Sequence, residues 1–244
     1  MMSAALTLSG IRVGIGSHEV LRGLNLELAP HEIRALVGLN GAGKTTALRV
    51  ALGMMRPDAG HVLLHGQDIW PSRPAMWQSV GHLVERPAAY PELTARDNIA
   101  HTALLHGADS RRCAQRAEQL AQALGMKAQL DQRVGRLSLG TRQKVGLICA
   151  LAHQPAVVIL DEPTNGLDPL AVVAFRDELR RLAEMGSSIL ITSHHFDELA
   201  RVSHAVDVLH RGHIVATVTP DQRDLEKVFF DIIVKADHHD QDIP

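Results

Sequence analysis

A glycine-rich segment followed by a lysine and two threonines is the strongest chemical signal in the 244-residue sequence. The segment and the residue after it are Gly38, Leu39, Asn40, Gly41, Ala42, Gly43, Lys44, Thr45 and Thr46. It fits the phosphate-binding pattern G-x-x-x-x-G-K-S/T, in which glycines let successive backbone N–H groups curl around phosphate oxygens. The Lys44 ammonium would reach the β and γ phosphates of a nucleotide, and the Thr45 hydroxyl would ligate magnesium. The segment therefore predicts a nucleotide site.

Two adjacent carboxylates provide the second signal. Asp161 and Glu162 follow the apolar run 157–160, which is typical of a strand buried on both faces of a parallel sheet. Strand ends of open parallel sheets form the ligand crevice, so Asp161 can reach a magnesium ion beside Lys44. Glu162 can then polarise a water opposite the γ phosphate as a general base. Two acids after a strand are more often a solvated turn, but together with the glycine loop they indicate hydrolysis of the nucleotide.

A serine placed before an apolar helix is the third feature, in the segment Leu137-Ser138-Leu139-Gly140-Thr141-Arg142-Gln143-Lys144. Serine is a good helix N-cap because its side-chain oxygen accepts a hydrogen bond from a free backbone N–H of the first turn. Taken alone, this segment predicts a capped helix and no chemistry.

Strands and helices alternate along the chain, and this order must position the three features. Strands are predicted at residues 5–13, 20–28, 33–37, 61–65, 80–84, 157–160, 188–192, 205–210 and 213–218. A helix is predicted to begin near Lys44, and helical spacing continues over about 93–139 in an inserted subdomain. Further helices are predicted from after Leu137 to about Ala152, over 169–185 and over 196–201. The alternation predicts an α/β fold with a mainly parallel core sheet. We expect one domain over residues 1–236, a helical subdomain inserted at about 86–139, and a disordered polar tail at 237–244.

Composition excludes several classes of protein. The formal charge of −2 provides no general attraction to nucleic acid or anionic lipid, so no nucleic-acid partner is expected. The two cysteines, Cys113 and Cys149, are too few for a disulfide framework or a structural zinc site, and we expect reduced thiols in a cytosolic chain. The sequence shows neither a secretory signal nor an apolar run near the roughly 20 residues needed to span a bilayer.

Five ordered motifs resemble those of ATP-binding cassette (ABC) ATPases. They are the glycine loop 38–45, the serine segment 137–144, Asp161 with Glu162, the stretch Asn165-Gly166-Leu167-Asp168, and the stretch Ile191-Thr192-Ser193-His194. The resemblance covers nearly the whole chain and is closest to the nucleotide-binding subunits of ABC transporters. It implies a P-loop NTPase core with a mainly parallel sheet, an N-terminal antiparallel β-subdomain and an inserted α-helical subdomain. It also implies an ATPase that uses ATP and Mg²⁺.

The resemblance implies roles for individual residues. Two cassettes of this family pack head to tail, so Ser138 and Gly140 would meet the γ phosphate held by the facing subunit. Glu162 matches the general base of the family and His194 its γ-phosphate switch residue. Asp168 matches the loop that crosses between the subunits.

The sequence departs from the family pattern at three places. Ile15 stands where an aromatic residue usually stacks on adenine, so only apolar contact with the base remains. Glu85 aligns with a glutamine that senses the γ phosphate, and we expect its carboxylate to accept from the magnesium shell, although it cannot donate as an amide does. Leu139 and Thr141 replace the more usual glycine and glutamine of the serine segment.

These departures resemble a branch of the family that exports drugs and peptide antibiotics. The similarity rests on Glu85, on the stretch Tyr90-Pro91-Glu92-Leu93-Thr94 with Asn98, and on the ending 225–229. A different interpretation is that Glu85 is a solvated acid paired with Arg86 or another base, and that 225–229 is a plain amphipathic helix.

The resemblance predicts an ATPase subunit that powers transport through separate membrane-spanning permease subunits, with export of a drug, peptide or lipid-like compound. It also predicts a second ABC subunit in a homodimer and a peripheral location at the cytoplasmic face of the cell membrane. The alternative is a soluble ABC-type ATPase that acts as a regulator or as a nucleic-acid or ribosome factor. Such proteins generally have two cassettes, long coiled coils or a basic face, which this sequence lacks. A small-molecule kinase with the same glycine loop is a third option, against which the serine segment and His194 argue.

Overall fold

The computed structural model describes residues 3–85, 89–220 and 224–241, with side chains up to residue 238. The strands are β1 (Leu6–Ile15), β2 (His18–Leu28), β3 (Ile33–Val37), β4 (Ala59–Leu64), β5 (Gln67–Asp68), β6 (Val80–Leu83), β7 (Val157–Asp161), β8 (Ser188–Thr192), β9 (Ala205–His210) and β10 (His213–Val218). The α-helices are α1 (Lys44–Ala51), α2 (Pro74–Trp77), α3 (Ala95–Leu105), α4 (Ser110–Ala123), α5 (Leu139–Leu151), α6 (Pro169–Glu184), α7 (Phe196–Val202) and α8 (Leu225–Gln241).

A six-stranded sheet forms the centre of the fold, in the order β10-β9-β3-β8-β7-β6. Its strands are parallel from β9 to β6, and β10 pairs antiparallel with β9. Every residue of β8 is buried, as are residues 157–160 of β7, because helices cover both faces of the sheet. Thr192 of β8 pairs with Asp161 of β7 on one side and with Leu36 of β3 on the other. The ends of these three strands therefore meet at one edge of the sheet. The predicted mainly parallel sheet is confirmed.

A second, antiparallel sheet contains the N-terminal strands in the order β2-β1-β4-β5. Alternate residues of β1 and β2 point into a core shared with α1, including Leu6, Leu21 and Leu48. This sheet confirms the antiparallel β-subdomain implied by the resemblance. Its β1–β2 hairpin lies beside the glycine loop, because a Cβ on Gly43 would come within 2.8 Å of the Leu21 side chain.

The segment between β6 and β7 is helical and contains α3, α4 and α5, with short 3-10 turns at 127–129 and 134–136. Each α-helix begins with a side-chain cap, from Thr94, Asp109 and Ser138 respectively. The boundaries assigned to the inserted subdomain stay a prediction. None of the helices in the described residues is long and apolar enough to cross a bilayer.

The end of the described chain corrects one expectation. Residues 237–241, predicted to be disordered, form the last turn of α8, and 242–244 lie outside the described residues. Leu225, Phe229 and Ile233 recur every four residues and bury one face of this helix against the core. Asp237 anchors its end, since its carboxylate lies 3.0 Å from His210 Nε2 and 2.6 Å from the Arg211 guanidinium. The polarity of the segment predicted disorder because it does not report contacts with residues distant in the sequence, such as His210 and Arg211.

Candidate nucleotide-binding and hydrolysis site

The glycine loop connects β3 to α1 in a conformation that its glycines permit. Gly41 and Gly43 have φ angles of 81° and 107°, in the left-handed region that L side chains rarely adopt. A Cβ on Gly38 would lie 2.4 Å from the Leu209 carbonyl oxygen, so a side chain does not fit there either. Gly43 caps α1 without a side chain, which leaves the first N–H groups of the helix available to an anion.

The Lys44 side chain folds back over this loop. Its Nζ donates to the Gly38 carbonyl at 2.6 Å and to the Leu39 carbonyl at 3.4 Å. The ammonium is thus held at the same loop whose N–H groups would bind phosphate, and its contact with the β and γ phosphates stays a prediction.

A hydroxyl–carboxylate network joins the loop to the central sheet. Thr45 Oγ1 donates to Asp161 Oδ2 at 2.8 Å, so two residues predicted to ligate magnesium are brought together. Thr192 Oγ1 donates to the other oxygen, Asp161 Oδ1, at 2.6 Å and accepts from the Glu162 backbone N–H at 3.0 Å. The sequence reasoning gave Thr192 no role. The sequence signal that could have identified Thr192 is its position at the end of β8, the strand that neighbours β7 in the sheet.

Glu162 and His194 form a pair at the same sheet edge. His194 Nδ1 lies 2.8 Å from Glu162 Oε2, which also accepts from the His194 backbone N–H at 3.2 Å. Glu162 has a φ angle of 47°, an unusual value for a residue with a side chain. The predicted base and the predicted switch residue are therefore in direct contact.

The serine segment lies at the start of α5, where Ser138 Oγ accepts from the Thr141 N–H at 3.2 Å. Gly140 packs against another backbone, because a Cβ there would lie 2.3 Å from the Gly166 carbonyl oxygen. Leu139 between them is 74% exposed. Within the described residues, Ser138 and Gly140 contact α5 and the turn at Gly166, and none of these contacts involves the glycine loop.

Asp168 caps α6 and connects it to α5. Its Oδ1 accepts from the Ala171 N–H at 2.9 Å, and its Oδ2 binds Lys144 Nζ at 2.6 Å. The hydrogen bond from Lys144 is the main reason that the pKa of Asp168 is lowered. Gln143 Nε2 also donates to the Pro163 carbonyl at 3.1 Å, so α5 and the 163–168 turn form one unit. Lys144 and Gln143 were not predicted to have these roles.

The third predicted magnesium ligand has a different partner. The Glu85 carboxylate forms an ion pair with Arg49 of α1, whereas Thr45 and Asp161 contact each other. The partner considered from the sequence, Arg86, lies outside the described residues. Ile15, at the end of β1, is about half exposed. The magnesium contact of Glu85 and the adenine contact of Ile15 stay predictions.

Comparison with known proteins agrees with this fold and these motifs. A family model of ABC transporters matches residues 21–165. The uncharacterized ABC transporter ATP-binding protein YdbJ of Bacillus subtilis (strain 168) is 34% identical over 90% of this chain and 70% of its own length. The bacitracin transport ATP-binding protein BcrA of Bacillus licheniformis is 31% identical over 90% of this chain and 71% of its own. The daunorubicin resistance ATP-binding protein DrrA3 of Streptomyces coeruleorubidus is 32% identical over 91% and 70%.

A solved structure of an ATP-binding subunit of an ABC transporter superposes with a TM-score of 0.86 at 26% identity, over 95% of this chain and 98% of that one. The chain therefore belongs to the ABC transporter family. It is an ATP-binding subunit with ATPase activity, and the predicted family, fold class and enzyme class are confirmed.

Proposed function

We propose that two copies of this chain bind and hydrolyse MgATP at the cytoplasmic face of the membrane. Their closure drives export of a drug-like or peptide compound through separate permease subunits. One observation carries the hydrolysis part of the proposal: the continuous chain of contacts from Thr45 through Asp161 and Thr192 to Glu162 and His194. This chain links the phosphate-binding loop to a carboxylate that can act as a base.

The residues beside the glycine loop fit a magnesium ion. Thr45 offers a hydroxyl and Asp161 a carboxylate, which are hard oxygen donors, and Mg²⁺ takes few protein ligands besides phosphate oxygens and water. When bound, Mg²⁺ would neutralise charge on the phosphates. Thr192 fixes the orientation of Asp161 for this contact.

Glu162 and His194 then divide the work of hydrolysis. His194 and its backbone N–H both hold Glu162 Oε2, which leaves Oε1 to accept the proton of an attacking water. Lys44 and the N–H groups at the start of α1 bind the phosphates and stabilise their negative charge.

The glycine loop and the serine segment at the start of α5 lie apart within one chain, and this separation supports pairing of two copies. The glycine loop and the exposed start of α5 have separate partners within one chain. A second copy would bring its Ser138 to the first copy's phosphates, as the resemblance implies. The export direction is supported by relatives named for bacitracin transport and daunorubicin resistance.

The variant Glu162→Gln tests the proposal in the complex with its permease. The amide cannot accept the proton, so turnover should fall by roughly two to four orders of magnitude while ATP affinity is kept. Glu19→Gln is a matched control, because Glu19 is an exposed acid paired with Arg12 on the β1–β2 hairpin. Near-normal turnover of Glu162→Gln would exclude its role as the base.

The same variant tests the homodimer. Since ATP is hydrolysed slowly, MgATP should double the mass of Glu162→Gln in light scattering. The double variant with Lys44→Ala should stay monomeric because it loses the charge partner of the phosphates. A constant mass of Glu162→Gln over the ATP titration would contradict pairing of identical copies.

A further inference from the structure

A cavity of about 460 Å³ lies between β6, α3 and α5, away from the glycine loop. Its titratable lining residues are His82 on β6, Tyr90 before α3, His101 and His106 on and after α3, and Cys149 on α5. No Asp, Glu, Lys or Arg occurs among its described lining residues. The Cys149 thiol stays neutral near physiological pH because burial raises its pKa to about 11. Histidine is thus the residue type that can change the charge of this cavity.

Two histidines stack directly beside the cavity. The rings of His106 and His153 lie 4.0 Å apart at an angle of 11°. His106, just after α3, has its Nδ1 3.1 Å from the Trp77 carbonyl, so the neutral ring carries its proton on Nδ1. His153, just after α5, is partly buried, and neither ring nitrogen has a hydrogen-bond partner of normal geometry within the described residues. The stack therefore connects the end of α3 to the end of α5.

This arrangement favours neutral rings. Burial, and then the proximity of His106, lowers the pKa of His153 to about 4. Burial and then His106 likewise lower the pKa of His82, and burial lowers that of His106. The described residues that line the cavity beside these rings include no carboxylate to compensate a positive charge. His101 lines the same cavity and packs edge-on against Tyr90.

We propose that His82, His106 and His153 form a proton-sensitive latch, which holds α3 against β6 and the end of α5 while the rings are neutral and releases α3 when they are protonated. The latch is a property of the isolated chain and is independent of the proposed export function. The sign follows from linkage: a histidine with a lowered pKa in the closed state takes up protons on opening, so the closed state loses stability as the pH falls below the ordinary value of about 6.5. For His153 alone, the pKa is about 4 in the closed state and about 6.5 in the open state. The equilibrium constant for opening should therefore rise about 30-fold between pH 7.5 and pH 5.

Hydrogen exchange measures this opening. Protection factors of the α3 amides, corrected for the pH dependence of intrinsic exchange, should fall at least about 30-fold from pH 7.5 to pH 5 in the wild type, since His153 alone contributes about that much. In His153→Phe the ring stack is kept but one titrating group is lost, so the fall should be smaller than in the wild type by a factor of about 30, and the fall that remains reports His82 and His106. His61→Gln is the matched control, because His61 is exposed on β4, and it should behave as the wild type.

The outcomes separate the latch from a packing role. An equal loss of α3 protection in His153→Phe and the wild type, or a wild-type loss below about threefold, would overturn the proposal. If His153→Phe does not fold, NMR titration of histidine-labelled wild type decides the matter. His153 should then titrate well below the ordinary value of about 6.5, and α3 amide shifts should follow the same midpoint. A midpoint for His153 near the ordinary value of about 6.5 would also overturn the latch.

Discussion

The contact between Gly140 and the turn at Gly166 allows a quantitative test of how α5 is held. In Gly140→Ala the new Cβ would lie 2.3 Å from the Gly166 carbonyl oxygen, whereas ordinary contacts begin near 3.4 Å. The neighbour is backbone, so α5 or the turn must move by about 1 Å, and overpacking of this kind costs about 1–3 kcal/mol. For a chain of this size each kcal/mol lowers the Tm by about 2–4 °C, so we expect a decrease of roughly 2–12 °C.

Thermal unfolding followed by circular dichroism measures this decrease, and ATPase activity in the complex reports its consequence. The shift should also disturb the Lys144–Asp168 pair, whose atoms lie 2.6 Å apart across the same junction. Leu139→Ala is the control, because Leu139 precedes Gly140 in the same helical turn and is mostly exposed, so its Tm should change little. A Tm for Gly140→Ala that matches the wild type would refute the steric argument.

Three further substitutions test other parts of the site. Thr192→Val keeps the side-chain shape but removes the hydroxyl between Asp161 and Glu162, so the free energy of unfolding in urea should fall by about 1–3 kcal/mol and ATPase turnover should fall too; equal stability would show that the bridge is dispensable. Lys44→Ala should weaken ATP binding in a fluorescence titration, since it removes the phosphate charge partner, and unchanged affinity would contradict that role. Glu85→Ala should lower transport per ATP hydrolysed in reconstituted vesicles while ATP affinity is kept. Because its ion pair with Arg49 is exposed, stability should change by less than about 1 kcal/mol, and unchanged transport would leave Glu85 as only a surface partner of Arg49.

The local features of this protein were readable in its sequence. The glycine loop requires residues without side chains at a few closely spaced positions, and the structure shows left-handed φ angles at two of them, Gly41 and Gly43. The apolar run 157–160 predicted a strand buried on both faces, and it forms the interior of β7. Ser138 predicted a helix start and caps α5. Such features depend on neighbouring residues, whose spacing the sequence states directly.

The partners of the charged and polar side chains were decided by the tertiary structure. Thr192 meets Asp161 because β8 lies beside β7 in a register that no short segment encodes. Glu85 binds Arg49 from another element, and Asp237 binds His210, which extends α8 through a segment whose polarity predicted disorder. Hydrogen bonds and ion pairs act over about 3 Å between groups that can be far apart in the chain. Their partners are therefore fixed by how strands and helices pack, while the local pattern of the sequence indicates where most of those strands and helices lie.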